Sequence, residues 1–222
     1  MHQERIARVA ARLSQSESEV IFVTPGADLR YLTGYDALPL ERLTCLAVRS
    51  DGNAWMIVPT LEKPSAIAHG VPEMGIKLLD WQETENPYSL LLAQVGFGAK
   101  PLVNNLMWVE KAFGLQGAAG VNVELAGKLL SDIREVKTPD EADYLHEAGA
   151  AIDSVHSNMH KWLRAGRTER EVGKDIAEAI LAAGHVTVDF VIVASGPNGA
   201  SPHHELSDRV IQAGEPVVVD IG

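Results

Sequence analysis

Residues 188–222, VDFVIVASGPNGASPHHELSDRVIQAGEPVVVDIG, hold the side chains best suited to chemistry: adjacent histidines, His203 and His204, and an acid, Asp220, directly after Val217, Val218 and Val219. An imidazole titrates near neutral pH, so it can hold, donate or accept a proton under working conditions. A carboxylate beside that much apolar surface needs a partner, because removing it from water unpaired is costly or shifts its pKa. A hard cation is one candidate partner, and backbone N–H groups at a strand terminus are another. The surrounding residues say how these groups are delivered. Residues 190–194 form a short apolar, β-branched run that predicts a buried strand. Gly196, Pro197, Asn198 and Gly199 cannot continue a ladder and predict a loop whose backbone can pass close to a ligand. A second strand is predicted at 216–219, with Pro216 tolerable as its first residue. Asp220 therefore stands at a strand end, and His203 in the loop between strands.

Two long helices precede these strands. Thr138, Pro139 and Glu141 make a capping box with proline at the first helical position, opening a helix predicted to run to about residue 164 with Ala142, Leu145, Ile152, Val155, Met159 and Leu163 on its inward face. Thr168 and Glu171 make a second box, opening a helix with Val172, Ile176 and Ile180 inward and Gly184 as its stop. His156 and His160 have the spacing that can clamp zinc on a helix. No Glu intervenes, and Val155 and Met159 claim the buried face, so they read as surface or partly packed histidines.

Upstream, residues 2–14 place Ile6, Val9, Ala10 and Leu13 at helical spacing. Strands are predicted at 20–23, 43–48, 54–58, 76–81, 101–104 and 121–125, the second and third joined as a hairpin through Asp51-Gly52. Helical segments are predicted at 60–68, from Pro87 to residue 95 behind an Asn86 cap, and near 107–113, with a single turn from Asp28 to Gly34. The alternation predicts an α/β domain with a mixed sheet over 1–125, and 127–136 reads as a connection. Tyr31 and Tyr35 read as packing residues rather than cleft lining.

The 222 residues, 46% hydrophobic, suffice for a large core. A net charge of -11, with Lys and Arg scattered, argues against nucleic acid or an anionic membrane as partner. Cys45, the single cysteine, lies in an apolar run and reads as a buried thiol. No apolar run approaches the ~20 residues that span a bilayer, and the opening MHQERIARVAARL intersperses charges where a signal peptide has an apolar core, so a soluble cytoplasmic setting is expected.

The segments ASGPN at 194–198, Pro202-His203 and VVVDIG at 217–222 together resemble the metallopeptidase family with the pita-bread fold, which includes aminopeptidase P, prolidase, methionine aminopeptidase and creatinase. The octet DLRYLTGY at 28–35 is similar to a segment of the creatinase and prolidase N-terminal domain, and the likeness is nearest to the Xaa-Pro peptidase branch. The resemblance implies an α/β N-terminal creatinase-like domain with a mixed sheet, at 1–125, followed by the first half of an α+β pita-bread catalytic domain, at 126–222. It makes Asp220 the first ligand of a centre of two divalent ions, manganese foremost with cobalt or zinc as alternatives. Those ions activate a bridging hydroxide and polarise the scissile carbonyl. His203 matches the residue that hydrogen-bonds substrate and assists proton traffic, and His204 matches no functional position. The implied reaction is hydrolysis of the bond before proline in a dipeptide or short peptide, by a homodimer. The family's remaining ligands follow later than Gly222, so this chain by itself is expected to be inactive. A creatinase-like C–N hydrolase that needs no metal, and a non-catalytic binding protein on the same scaffold, are the rival readings.

Overall fold

The computed structural model describes residues 1–222 and divides them into two compact units, Met1–Val136 and Lys137–Gly222. The architecture of the first follows from its strands. In β1 (Val20–Val23), Ile21 and Val23 enter one core while Val20 and Phe22 enter another. β2 (Cys45–Arg49) and β3 (Ala54–Pro59) repeat the division, with Leu46, Val48, Met56 and Val58 on one side and Cys45, Ala47, Trp55 and Ile57 on the other. Side chains alternate across a strand, so strands apolar at every position must be covered on both faces. The covers are α1 (His2–Leu13), α2 (Ala27–Thr33) and α6 (Gly127–Glu135) on one side and α4 (Pro87–Val95) and α5 (Val109–Ala119) on the other. α3 (Lys63–Ala68) adds Ala66 to the first core. With β4 (Lys77–Trp81), β5 (Leu102–Val103) and β6 (Glu124–Leu125) the sheet has the order β4-β3-β2-β1-β5-β6. β1–β2 and β2–β3 are antiparallel and the other neighbours parallel, which makes the sheet mixed, as the alternation predicts.

Several details differ from the sequence reading. Residues 127–136 are not a connection: α6 buries Leu130 and Ile133, and Arg8 donates to the Ile133 carbonyl at 2.9 Å. Residues 126–136 therefore pack with the first unit, and the break falls after Val136 where the sequence placed it at 125. α2 begins after Gly26 with no side-chain cap, so Asp28 lies inside the helix, where it pairs with Arg134 of α6 at 2.7 Å. α5 starts later and runs longer than 107–113, and the last strand of the sheet shortens to two residues. Tyr35 is buried in the core, and Tyr31 packs against it with the Arg5 guanidinium 4.1 Å from its ring centroid. Burial pushes the Cys45 thiol up to about 12, which leaves it an inert core group.

The second unit contains α7 (Pro139–Ser157), α8 (Glu169–Ala182) and an antiparallel pair, β7 (Val191–Ser195) and β8 (Val217–Ile221). Both capping boxes form in both directions. α7 nevertheless stops at Ser157, short of 164: the Asn158 side-chain amide donates to the Ser154 carbonyl at 2.8 Å, taking the acceptor a further helical N–H would use, and a 3-10 turn, Met159–Lys161, follows. That break separates His156 from His160, both exposed, so the zinc-clamp spacing does not lie on one helix. Ile152, Val155, Met159 and Leu163 join Val172, Ile176 and Ile180 in the core, whereas Leu145 is 57% exposed. α8, at 14 residues against 19, covers only the C-terminal part of α7.

At the start of α8, Glu169 is fully buried and ties together the chain around it. Its Oε1 accepts from the Ser195 N–H and the Ser195 hydroxyl, each at 2.7 Å, and from the Asn198 amide at 3.0 Å. Its Oε2 accepts from the Ser207 hydroxyl at 2.6 Å and lies 2.7 Å from His204 Nε2. Burial pushes this carboxyl up, but the hydrogen bonds from Ser207, Ser195 and His204 outweigh it, and the net effect holds the group well below the usual carboxylate range.

Two predictions concern stability. Gly114 in α5 has Tyr88 of α4 against its Cα, so that a Cβ would fall inside the ring's surface. Gly114→Ala should lower Tm, because overpacking by about 1–3 kcal/mol exceeds the helix-propensity gain of at most about 1 kcal/mol. Glu169→Gln removes an acceptor from buried donors and should cost about 1–3 kcal/mol at pH 7. A carboxyl depressed in the folded state contributes stability above its ordinary value, near 4.5, and loses it as pH falls towards the folded value. Urea midpoints at pH 7 and pH 3 should therefore show a gap between wild type and variant that narrows at the lower pH.

Candidate active site

A cavity of about 650 Å³ in the second unit brings His203 and Asp220 to one place. Its volume is within the range of small-molecule sites, roughly 300–1,000 Å³. Phe190, Ile192 and Leu206 supply apolar wall and Arg170 a cation, with one guanidinium nitrogen held by Asp208 at 2.8 Å.

Asp220 owes its position to the pleat of β8. Val217, Val219 and Ile221 pack into the core, which leaves Val218 and Asp220 on the opposite, exposed face, with Asp220 across the ladder from Ile192. The three valines thus do not bury the acid, contrary to what their adjacency suggests. The Asp220 side chain makes no hydrogen bond or ion pair within the chain, while its backbone pairs with Ile192 in the ladder and the neighbouring Gly222 N–H goes to the Phe190 carbonyl at 3.1 Å. The Asp220 carboxylate thus accepts from no backbone N–H within residues 1–222.

His203 is placed by the segment between β7 and β8. After β7 the chain enters a 3-10 turn, Gly196–Ala200, where Gly196 has φ +50° and the paired side chains of Arg209 and Glu215 lie where a Cβ would project. Arg209 grips Glu215 through two 2.6 Å contacts and holds its carboxyl below the usual range, and Arg209 also donates to the Ser195 hydroxyl. Further on, the Glu169 and Arg170 N–H groups donate to the Arg209 and Ser207 carbonyls at 3.1 and 3.0 Å, and Ile211 exchanges bonds with Gly166 and Arg167. The otherwise unpartnered N–H groups at the start of α8 are thereby satisfied by the loop that carries the histidines. His203 itself is exposed, with no hydrogen bond of its own, while His204 turns inward to Glu169.

The sequence reading brought His203 and Asp220 together but missed Glu169 and gave His204 no part. The signal was present in Thr168-Glu169-Arg170-Glu171, where the capping box uses Glu171 and leaves a second acid at the first helical position, unexplained. Asp220 and Glu205 are the carboxylates that line this cavity, and a hard cation takes oxygen ligands. No three His, Cys, Asp or Glu side chains converge, so the donor set of this chain does not by itself fit a metal centre.

The family described as Creatinase/Prolidase N-terminal domain matches residues 5–136, and Metallopeptidase family M24 matches residues 143–222. The chain is 42% identical over 224 residues to a protein of Mycobacterium tuberculosis named probable dipeptidase PepE, covering 100% of this chain and 60% of that protein. The crystal structure of dipeptidase PepE from Mycobacterium ulcerans superposes with a TM-score of 0.94 at 43% identity, again over 100% of this chain and 60% of that one. Recombinant prolidase from Thermococcus sibiricus gives 0.84 at 31% identity, over 100% and 61%. The chain thus spans about 60% of the length of the relatives it matches. It belongs to the creatinase/prolidase family, with that family's N-terminal domain over its first unit and M24 metallopeptidase sequence over its second.

Proposed function

We propose that this chain contributes the N-terminal domain and the Asp220/His203 part of the active site to a metal-dependent peptidase that cleaves the bond before proline in dipeptides or short peptides. The observation that carries the reading is the shared pocket: an exposed imidazole and an unpartnered carboxylate face one cavity of dipeptide scale with an apolar wall. Relatives named dipeptidase and prolidase support the substrate class. Asp220 is proposed as one ligand of a pair of divalent ions, manganese foremost, with the other ligands supplied from outside this chain.

His203, free of intrachain hydrogen bonds, can donate one to a carbonyl oxygen of bound substrate or take and return a proton at the scissile amide. The wall of Phe190, Ile192 and Leu206 suits an apolar side chain or a proline ring and excludes water from it. Homodimer formation and a cytoplasmic setting are proposed on the family likeness, and the charge of -11 supports the absence of a nucleic-acid partner.

The test is turnover by the full-length protein after chelation and reloading with manganese, cobalt or zinc, on Xaa-Pro dipeptides, on proline-free dipeptides and on creatine. Manganese-stimulated cleavage confined to the Xaa-Pro set is expected. Asp220→Ala should fall to background, His203→Ala should lose about 10²- to 10⁴-fold in kcat, and the 222-residue chain alone should show no turnover. Metal-independent hydrolysis of creatine would replace the peptidase reading with that of a C–N hydrolase.

A further inference from the structure

We propose that Glu169 is a positioning residue for His203, setting the imidazole's place in the pocket by pinning the backbone on both sides of it through Asn198, His204 and Ser207. The proposal rests on the reading of His203 given above. Three observations carry it. First, the exposed His203 side chain has no hydrogen bond of its own, so the polar contacts that place it are those of the residues flanking it. Second, that backbone is held before it by the Asn198 amide on Glu169, and after it by the His204 ring and the Ser207 hydroxyl on the same carboxylate. Third, Glu169 is fully buried and stands at the first position of α8, so the anchor is part of a rigid element rather than of the loop.

The chemistry of the anchor is specific. An ionised carboxylate only accepts, so the contact at 2.7 Å requires the proton on His204 Nε2. That fixes the tautomer and the plane of the ring next to His203. Ser195, at the end of β7, donates twice to the other oxygen, so strand end, turn and histidine segment share one acceptor group. Glutamine in its place keeps the shape but turns an NH₂ towards donors, and the segment must rearrange.

The test uses the full-length, metal-loaded protein and compares wild type, Glu169→Gln, His204→Phe, His203→Ala and the double variant Glu169→Gln/His203→Ala. If Glu169 acts by placing His203, then Glu169→Gln lowers kcat by about 10- to 100-fold with a smaller change in KM. His204→Phe, which leaves the α8 capping box in place, does the same, and the double variant loses no more than His203→Ala alone. Losses that add in the double variant, or wild-type kcat in both single variants, overturn the proposal. Nitrogen-15 imidazole NMR on the diamagnetic zinc-loaded protein gives a readout that needs no turnover: His204 should carry its proton on Nε2 in the wild type, and Glu169→Gln should shift or broaden the His203 ring signals. Unchanged His203 signals overturn the proposal. A wild-type protein that cleaves no Xaa-Pro peptide overturns the functional reading alone, and the NMR comparison then decides the positioning.

Discussion

A carboxylate with no access to water must have its oxygens filled by donors, or it protonates or drags the fold apart. Glu169 is such a group, and the second unit is arranged to meet its demand. Its donors come from a strand end, a 3-10 turn and the loop that carries the histidines. None of these is close to Glu169 in sequence; the nearest, Ser195, is 26 residues away. Long-range hydrogen bonds to one charged acceptor make these elements interdependent, since displacing any of them strands a buried donor or acceptor. The Arg209–Glu215 pair extends the network by donating to the same Ser195 hydroxyl that donates to Glu169.

The first unit rests on a different constraint. Its central strands are apolar on both faces, so the sheet is stable only as the middle of three layers. α6 shows how strong that demand is. It looks like a connector in sequence, short and opened by glycine, yet Leu130 and Ile133 fill the same core as α1 and α2. Close packing also explains an otherwise unfavourable helix glycine: a Cβ at Gly114 would meet the Tyr88 ring.

Asp220 and Glu169 contrast in how their carboxylates are partnered. Both are acids at the end of an element. Glu169 has both oxygens satisfied inside the protein and is held ionised by its donors, whereas the Asp220 side chain projects from the exposed face of β8 with no partner in this chain and lines the same cavity as an exposed histidine. A satisfied buried acid organises structure; an unpartnered acid in a cavity is available to a ligand.

Local signals were legible because they act over a few residues. The capping boxes at Thr138 and Thr168, the Asp51-Gly52 hairpin, the Asn86 cap and the left-handed Gly34 all occur where nearby residue types require them. His203 and Asp220 stand out through the family likeness of residues 188–222, since a loop histidine or a strand-end acid alone is a weak signal. The tertiary structure alone decided which acid is buried, that Leu145 stays exposed while Ile152 does not, and that His204 faces inward to Glu169. Burial and hydrogen-bond partnership depend on residues brought together from distant parts of the chain. Composition, periodicity and capping patterns carry no record of those meetings.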